Sequence, residues 1–118
     1  VNGQVIMSVV YGFLLFLLGQ SIIWFTTNAQ FLNDYAAKKP WLMTLIAAPV
    51  TYLFILATKY CAQAFDGLLW PGRFIGFATG MIIFAIMTTY IMKEPFSAKT
   101  FISLALATIL VAVQIFWK

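Results

Sequence analysis

The chain has 118 residues, of which 64% are apolar and 8% are charged, and its mean hydropathy is +0.98. This composition excludes a water-soluble globular domain, because it supplies too little polar surface to cover one. The net charge of +4 does not indicate nucleic-acid binding, since the basic residues fall beside predicted helix ends, where lipid headgroups lie. We therefore expect an integral membrane protein with the lipid bilayer as a partner and no nucleic-acid partner.

Long uncharged blocks make up most of the sequence, because the seven basic and three acidic residues fall in short clusters. A helix of about 18 to 20 residues crosses a hydrocarbon core of about 30 Å. The blocks lack the alternation of barrel strands, which favours helices. We predict an all-α integral membrane protein with four transmembrane helices, arranged as two helical hairpins in a single domain. The predicted spans are residues 4–29, 40–63, 71–92 and 100–117.

The first span places an amide and an indole on one face of an apolar helix. Gln20, Trp24 and Thr27 follow one another at i, i+4 and i+7, which is helical spacing. An amide at membrane depth is costly unless it meets a partner, whether a neighbouring helix or a bound solute. Gln20 and Trp24 are therefore candidates for a substrate pocket.

Residues 33–40 are predicted as the turn that closes the first hairpin, and the second span begins at Pro40, where a missing N–H is tolerated. A polar stripe follows one face of this span. It consists of Thr44, Ala48, Thr51 and Thr58, with Tyr52 and Lys59 beside it. Pro49 interrupts the helix and leaves a carbonyl one turn earlier without its donor. Two interpretations are open: a kinked helix that lines a polar cavity, with Thr51 and Tyr52 as pocket residues, or a face on which threonines mediate packing.

The third span carries glycines at a regular four-residue spacing, at Gly72, Gly76 and Gly80. One face of that helix is therefore almost free of side chains, and another backbone can approach it closely. We predict a helix-packing seam at these glycines, with a hinge or the wall of a substrate path as the alternatives.

Two basic side chains lie near the same membrane surface, Lys59 at the end of the second span and Arg73 at the start of the third. Lys59 can extend its ammonium group to the interface, which is the ordinary behaviour of lysine near a helix end. If both side chains instead point inward, with Asp66 as counter-ion, they form a basic mouth suited to an anionic or zwitterionic solute.

The residue types that are missing exclude several chemistries. The sequence has no histidine, one cysteine (Cys61) and three acids at loop positions, which offer no plausible metal cage or haem ligand. No candidate nucleophile has a base beside it. We expect no metal, no cofactor and no enzymatic activity.

Membrane orientation is weakly specified by charge. One side would carry Lys38, Lys39, Lys93 and Lys99, and the other Lys59, Arg73 and Lys118. The positive-inside rule gives no clear bias for this distribution. Insertion in both directions would allow an antiparallel homodimer.

Residues 88–97 end the third span in a turn that contains Glu94 and Pro95, and residues 101–113 form a final span rich in small residues. This segment resembles the closing hairpin of the drug/metabolite transporter superfamily. The length and four-span layout resemble its small members, the small multidrug resistance proteins and half-repeat relatives. The resemblance implies a transporter that works as an oligomer in a bacterial inner (plasma) membrane.

Small multidrug resistance transporters exchange protons for cationic substrates through a membrane-embedded glutamate in the first helix, whereas residues 1–33 here contain no acid. We therefore expect a small-solute transporter without first-helix carboxylate coupling, acting as a homodimer or with other membrane subunits. The alternative is a non-catalytic accessory or structural subunit of a larger membrane complex, whose glycine seam and tryptophan anchors serve docking only. An oligomeric channel is a third interpretation.

Overall fold

The computed structural model describes residues 3–117, and the regular structure in that range is entirely helical. The helices are α1 (Gly3–Asn28), α2 (Asp34–Lys38), α3 (Pro40–Ala64), α4 (Trp70–Tyr90) and α5 (Ala98–Phe116). A short 3-10 turn, Ala29–Phe31, extends α1. Among the described residues, α1 with this extension, α3, α4 and α5 are long and apolar enough to cross a membrane. The predicted fold, an all-α integral membrane protein with four spans, is confirmed.

α1 lies between its neighbours and contacts both α3 and α4. α1 and α3 form the first hairpin, while α5 packs mainly against α4 and buries no residue of its own. The principal dimensions are 48 × 35 × 19 Å, and a helix with its side chains is about 10 Å across. The part of the chain that the structure describes is thus about two helices thick along its shortest dimension.

The first hairpin closes through a short helix, α2, where the sequence predicted only a turn. The side chain of Asn33 caps this helix by accepting a hydrogen bond from the Tyr35 N–H at 2.7 Å. Asp34 lies in its first turn and Lys38 in its last, an order that complements the helix dipole. Ala36 is buried and fixes α2 against the rest of the hairpin.

The second hairpin closes through an extended turn. α4 ends at Tyr90, before the predicted limit at residue 92, and Lys93 then adopts a left-handed backbone conformation with φ of 56°. Ser97 starts α5 as its N-cap, accepting a hydrogen bond from the Thr100 N–H at 3.3 Å. The left-handed conformation of Lys93 prevents the helix from continuing into the turn.

Candidate functional site

The glycine seam of α4, Gly72, Gly76 and Gly80, faces the other helices of the same chain. A Cβ at Gly76 would lie 3.2 Å from Cε1 of Phe16, and a Cβ at Gly80 would lie 3.1 Å from Nε2 of Gln20. These distances leave little space for a side chain, and a Cβ at Gly72 would approach α3 just as closely. The seam therefore brings the α4 backbone close to α1 and α3.

Close approach also uses glycines on α1. A Cβ at Gly12 would lie 2.7 Å from Sγ of Cys61, and a Cβ at Gly19 would overlap the ring of Phe54. Both partners belong to α3, so α1 presents glycines to α3, while α4 presents Gly76 and Gly80 to α1 and Gly72 to α3. Small residues at such contacts let van der Waals packing hold helices together where lipid removes the hydrophobic drive.

Gln20 points from α1 into the contact with α4. Its Nε2 donates a hydrogen bond to the Gly76 carbonyl at 3.2 Å, and the same carbonyl accepts one from Oγ1 of Thr79 at 2.8 Å. Thr79 is fully buried. Two side-chain donors, one from each helix, thus bond the same carbonyl. The space that Gln20 occupies is left by Gly80, where a Cβ would lie 3.1 Å from Nε2 of Gln20.

Trp24 makes the second polar contact between α1 and α4. Its indole Nε1–H donates to Oγ1 of Thr88 at 3.0 Å, and the exposed fractions of the two residues are 3% and 9%. Thr88 is a partner that sequence reasoning missed, although it continues the four-residue spacing of the glycine seam two steps beyond Gly80. Trp24 consequently serves as a structural contact between helices.

A small crevice opens beside these two contacts, with a volume of about 160 Å³. Gln20 and Trp24 line it together with Thr27 and Asn28. Liquid water occupies about 30 Å³ per molecule, so the crevice has space for a few waters or one very small solute.

The other predicted pocket residues lie elsewhere. Thr51 and Lys59 are exposed on α3, Tyr52 is 65% exposed, and Arg73 is exposed on α4. The structure therefore does not assemble the single pocket expected from the sequence. Trp24 is buried and Gln20 is half-buried at the contact between α1 and α4, whereas the other four candidates are exposed.

The α3 helix has a buried face and an exposed face, and this explains why its candidate residues lie apart from Gln20 and Trp24. Val50, Ala57 and Cys61 are its buried residues, and they recur at i, i+7 and i+11, which places them on one side of the helix. At 100° per residue, Thr51 and Lys59 lie well away from that side. Burial of the apolar side against α1 leaves the polar stripe outside.

We use the term outer α3 face for the exposed side of this helix. It comprises Thr44, Ala48, Thr51, Tyr52, Ile55, Thr58 and Lys59. Thr44 satisfies its hydroxyl by donating to the Pro40 carbonyl at 3.0 Å. Among the described residues, the hydroxyls of Thr51, Tyr52 and Thr58 make no hydrogen bond with the protein. The outer α3 face thus presents unpaired polar groups along a membrane-spanning helix.

The basic mouth, which was the alternative to Lys59 extending to the interface, would need Asp66 as the counter-ion of Lys59 and Arg73. In the part of the chain that the structure describes, Asp66 forms no ion pair with Lys59 or Arg73. Asp66 instead occupies a turn position with φ of 56°. Residues 3–117 also contain no group of three or more His, Cys, Asp or Glu side chains that could hold a metal ion.

No protein-family model matches the chain, and neither a curated protein sequence nor a solved structure matches it.

Proposed function

We propose that this chain is a subunit of a homo-oligomeric carrier for small solutes, of the drug/metabolite transporter type, in a bacterial inner membrane. The observation that carries the proposal is the outer α3 face, with its unpaired hydroxyls at membrane depth. Thr51 lies 11 residues beyond the start of α3 at Pro40, or about 16 Å along the helix at about 1.5 Å per residue. That is close to the middle of a bilayer core of about 30 Å.

Polar groups at this depth raise the free energy of the folded protein in lipid unless a partner or water reaches them. A second copy of the chain can cover the outer α3 face and enclose a wet path between the two subunits. Because residues 3–117 are about two helices thick along the shortest dimension, we place the solute path between subunits.

The charges of the helices favour a particular class of solute. α1, α3, α4 and α5 contain no aspartate or glutamate, and their charged residues are Lys59, Arg73 and Lys99. A path lined by hydroxyls, with lysine and arginine near one end, would stabilise neutral or anionic hydrogen-bonding solutes and would lack a counter-charge for cations. Coupling through titration of a carboxylate in a span is accordingly not part of the proposal.

The test is solute flux in proteoliposomes over neutral, zwitterionic, anionic and cationic small molecules. Thr51→Val removes one hydroxyl at nearly constant volume, and we expect about threefold to tenfold slower flux, the equivalent of one lost hydrogen bond. The matched control is Thr108→Val on α5, where the hydroxyl donates to the Leu104 carbonyl of its own helix at 2.9 Å. The control should retain wild-type flux.

Carboxylate-independent transport of a neutral or anionic solute would support the proposal, and Lys59→Met should slow an anionic solute more than a neutral one. Proton-coupled export of lipophilic cations would contradict it. Equal loss of flux in Thr51→Val and Thr108→Val would show that the outer α3 face has no special part in transport.

An accessory subunit of a larger membrane complex is the second candidate, and a separate observation favours it. α5 buries no residue, and an open apolar groove of about 480 Å³ lies between α4 and α5, lined by residues such as Ala78, Ala107 and Val111. Such a groove fits a helix of another protein. Absence of flux for every solute, together with co-purification in a stoichiometric complex, would favour this function over transport.

A further inference from the structure

A second groove, of about 310 Å³, lies where the end of α1, α2 and the start of α3 meet. We refer to it as the α2 groove. Ile23 and Ala47 line its inner end, toward the membrane centre, while Thr27, Gln30 and Thr44 line it nearer the hairpin turn. The groove thus changes from apolar to hydrogen-bonding along the direction in which a lipid changes from acyl chain to headgroup.

Part of the polar lining is available to a ligand. The Thr27 hydroxyl makes no hydrogen bond among the described residues, and the Gln30 amide uses Nε2 to donate to the Thr27 carbonyl at 3.0 Å. An amide nitrogen carries two hydrogens, so Gln30 retains one donor. Hydroxyl and amide groups of this kind can bond the ester and glycerol oxygens of a lipid.

Two lysines lie in the chain segment between Ala36 and Pro40, both of which line the groove. Lys38 is exposed, and Lys39 directly precedes Pro40, which lines the groove. The Lys39 ammonium lies 5.3 Å from the ring centroid of Tyr35 and 5.5 Å from that of Trp41. Cation–π contacts at these distances hold the ammonium between two rings, and aromatic rings of this type favour the headgroup level of a bilayer.

We infer that the α2 groove binds one anionic glycerophospholipid. Its phosphate lies beside Lys38 and Lys39, its glycerol region meets Thr27 and Gln30, and the first part of an acyl chain enters between Ile23 and Ala47. The two lysines favour an anionic lipid over a zwitterionic one. The change from polar to apolar lining favours a lipid over a soluble anion. The inference does not depend on transport activity.

The test is lipid binding to the purified protein by native mass spectrometry, with phosphatidylglycerol and phosphatidylcholine of identical acyl chains. We expect preferential binding of phosphatidylglycerol. Lys38→Gln and Lys39→Gln together should weaken it by about fivefold for each lysine removed, which corresponds to about 1 kcal/mol per basic residue near a membrane surface. The control is Lys93→Gln with Lys99→Gln, which removes the same charge from the second hairpin, at its turn and at the start of α5.

A second variant tests whether lipid binding requires the α2 groove itself or only positive charge on the protein surface. Ala47→Phe fills the inner end of the α2 groove and keeps every lysine, so it should also weaken phosphatidylglycerol binding. Thr27→Val, which adds no volume, serves the same purpose if Ala47→Phe lowers thermal stability.

Three results would overturn the inference. The first is equal binding of the two lipids, and the second is an equal loss of binding in both double-lysine variants. The third is displacement of phosphatidylglycerol by glycerol 3-phosphate, which would identify the groove as a site for a soluble phosphate.

Discussion

Two polar regions of this protein differ in how their hydrogen bonds are satisfied. At the contact between α1 and α4, the Gln20 amide and the Trp24 indole donate to groups on the facing helix, at 3.2 and 3.0 Å. On the outer α3 face, Thr51 and Tyr52 make no hydrogen bond among the described residues. Both regions carry polar groups inside membrane-spanning helices, but only the first makes side-chain hydrogen bonds between helices of one chain.

The difference indicates which polar residues serve folding and which are available for function. The Trp24 indole has spent its single N–H on Thr88, whereas the Gln20 amide has used one of its two N–H donors to hold α1 against α4. Unpaired hydroxyls on a membrane helix require an external partner, because lipid tails cannot bond them. The comparison therefore moves the candidate solute path from the interior of the chain to the outer α3 face.

The largest effect is expected at the glycine seam. In Gly76→Leu, the new side chain meets the ring of Phe16, which lies 3.2 Å from the position of a Cβ, so we expect a loss of about 1–3 kcal/mol in folding stability. Thermal unfolding in detergent measures it. Gly3→Leu is the control, because a Cβ at Gly3 would meet no atom within 4 Å. Equal stability of wild type and Gly76→Leu would mean that α4 does not pack on α1 through this face.

A smaller effect is expected for the buried indole contact. Trp24→Phe removes the donor and Thr88→Val removes the acceptor, and hydrogen bonds between membrane helices contribute about 0.6 kcal/mol on average, with a maximum of about 1.7. A double-mutant cycle on unfolding free energies isolates the pair. Additive effects of the two substitutions would show that the Trp24–Thr88 hydrogen bond does not stabilise the fold. That result would contradict the role of this bond in holding α1 against α4.

The fold was accessible from the sequence because uncharged blocks and helix length determine membrane spans almost by themselves. The inward position of Gln20 also follows from the cost of an amide in lipid. The relative positions of the candidate pocket residues could not be predicted from the sequence. Helical spacing tells which residues share a face of a helix, but not which neighbouring helix covers that face. Thr51 and Gln20 each lie on a polar stripe, and only the packing of α1 against Val50 and Ala57 places them on different sides of the protein.

The most direct test concerns water access to the outer α3 face. In a Cys61→Ala background, Thr51→Cys is compared with Ile109→Cys, which is 11 residues into α5 as Thr51 is into α3, so both lie about 16 Å along their helices. In native membranes, a charged thiol reagent should modify Thr51→Cys, and a short bifunctional reagent should link two copies through it, while Ile109→Cys should show neither reaction. If Thr51→Cys is as unreactive as Ile109→Cys, the outer α3 face contacts lipid, and the proposed solute path between subunits is contradicted.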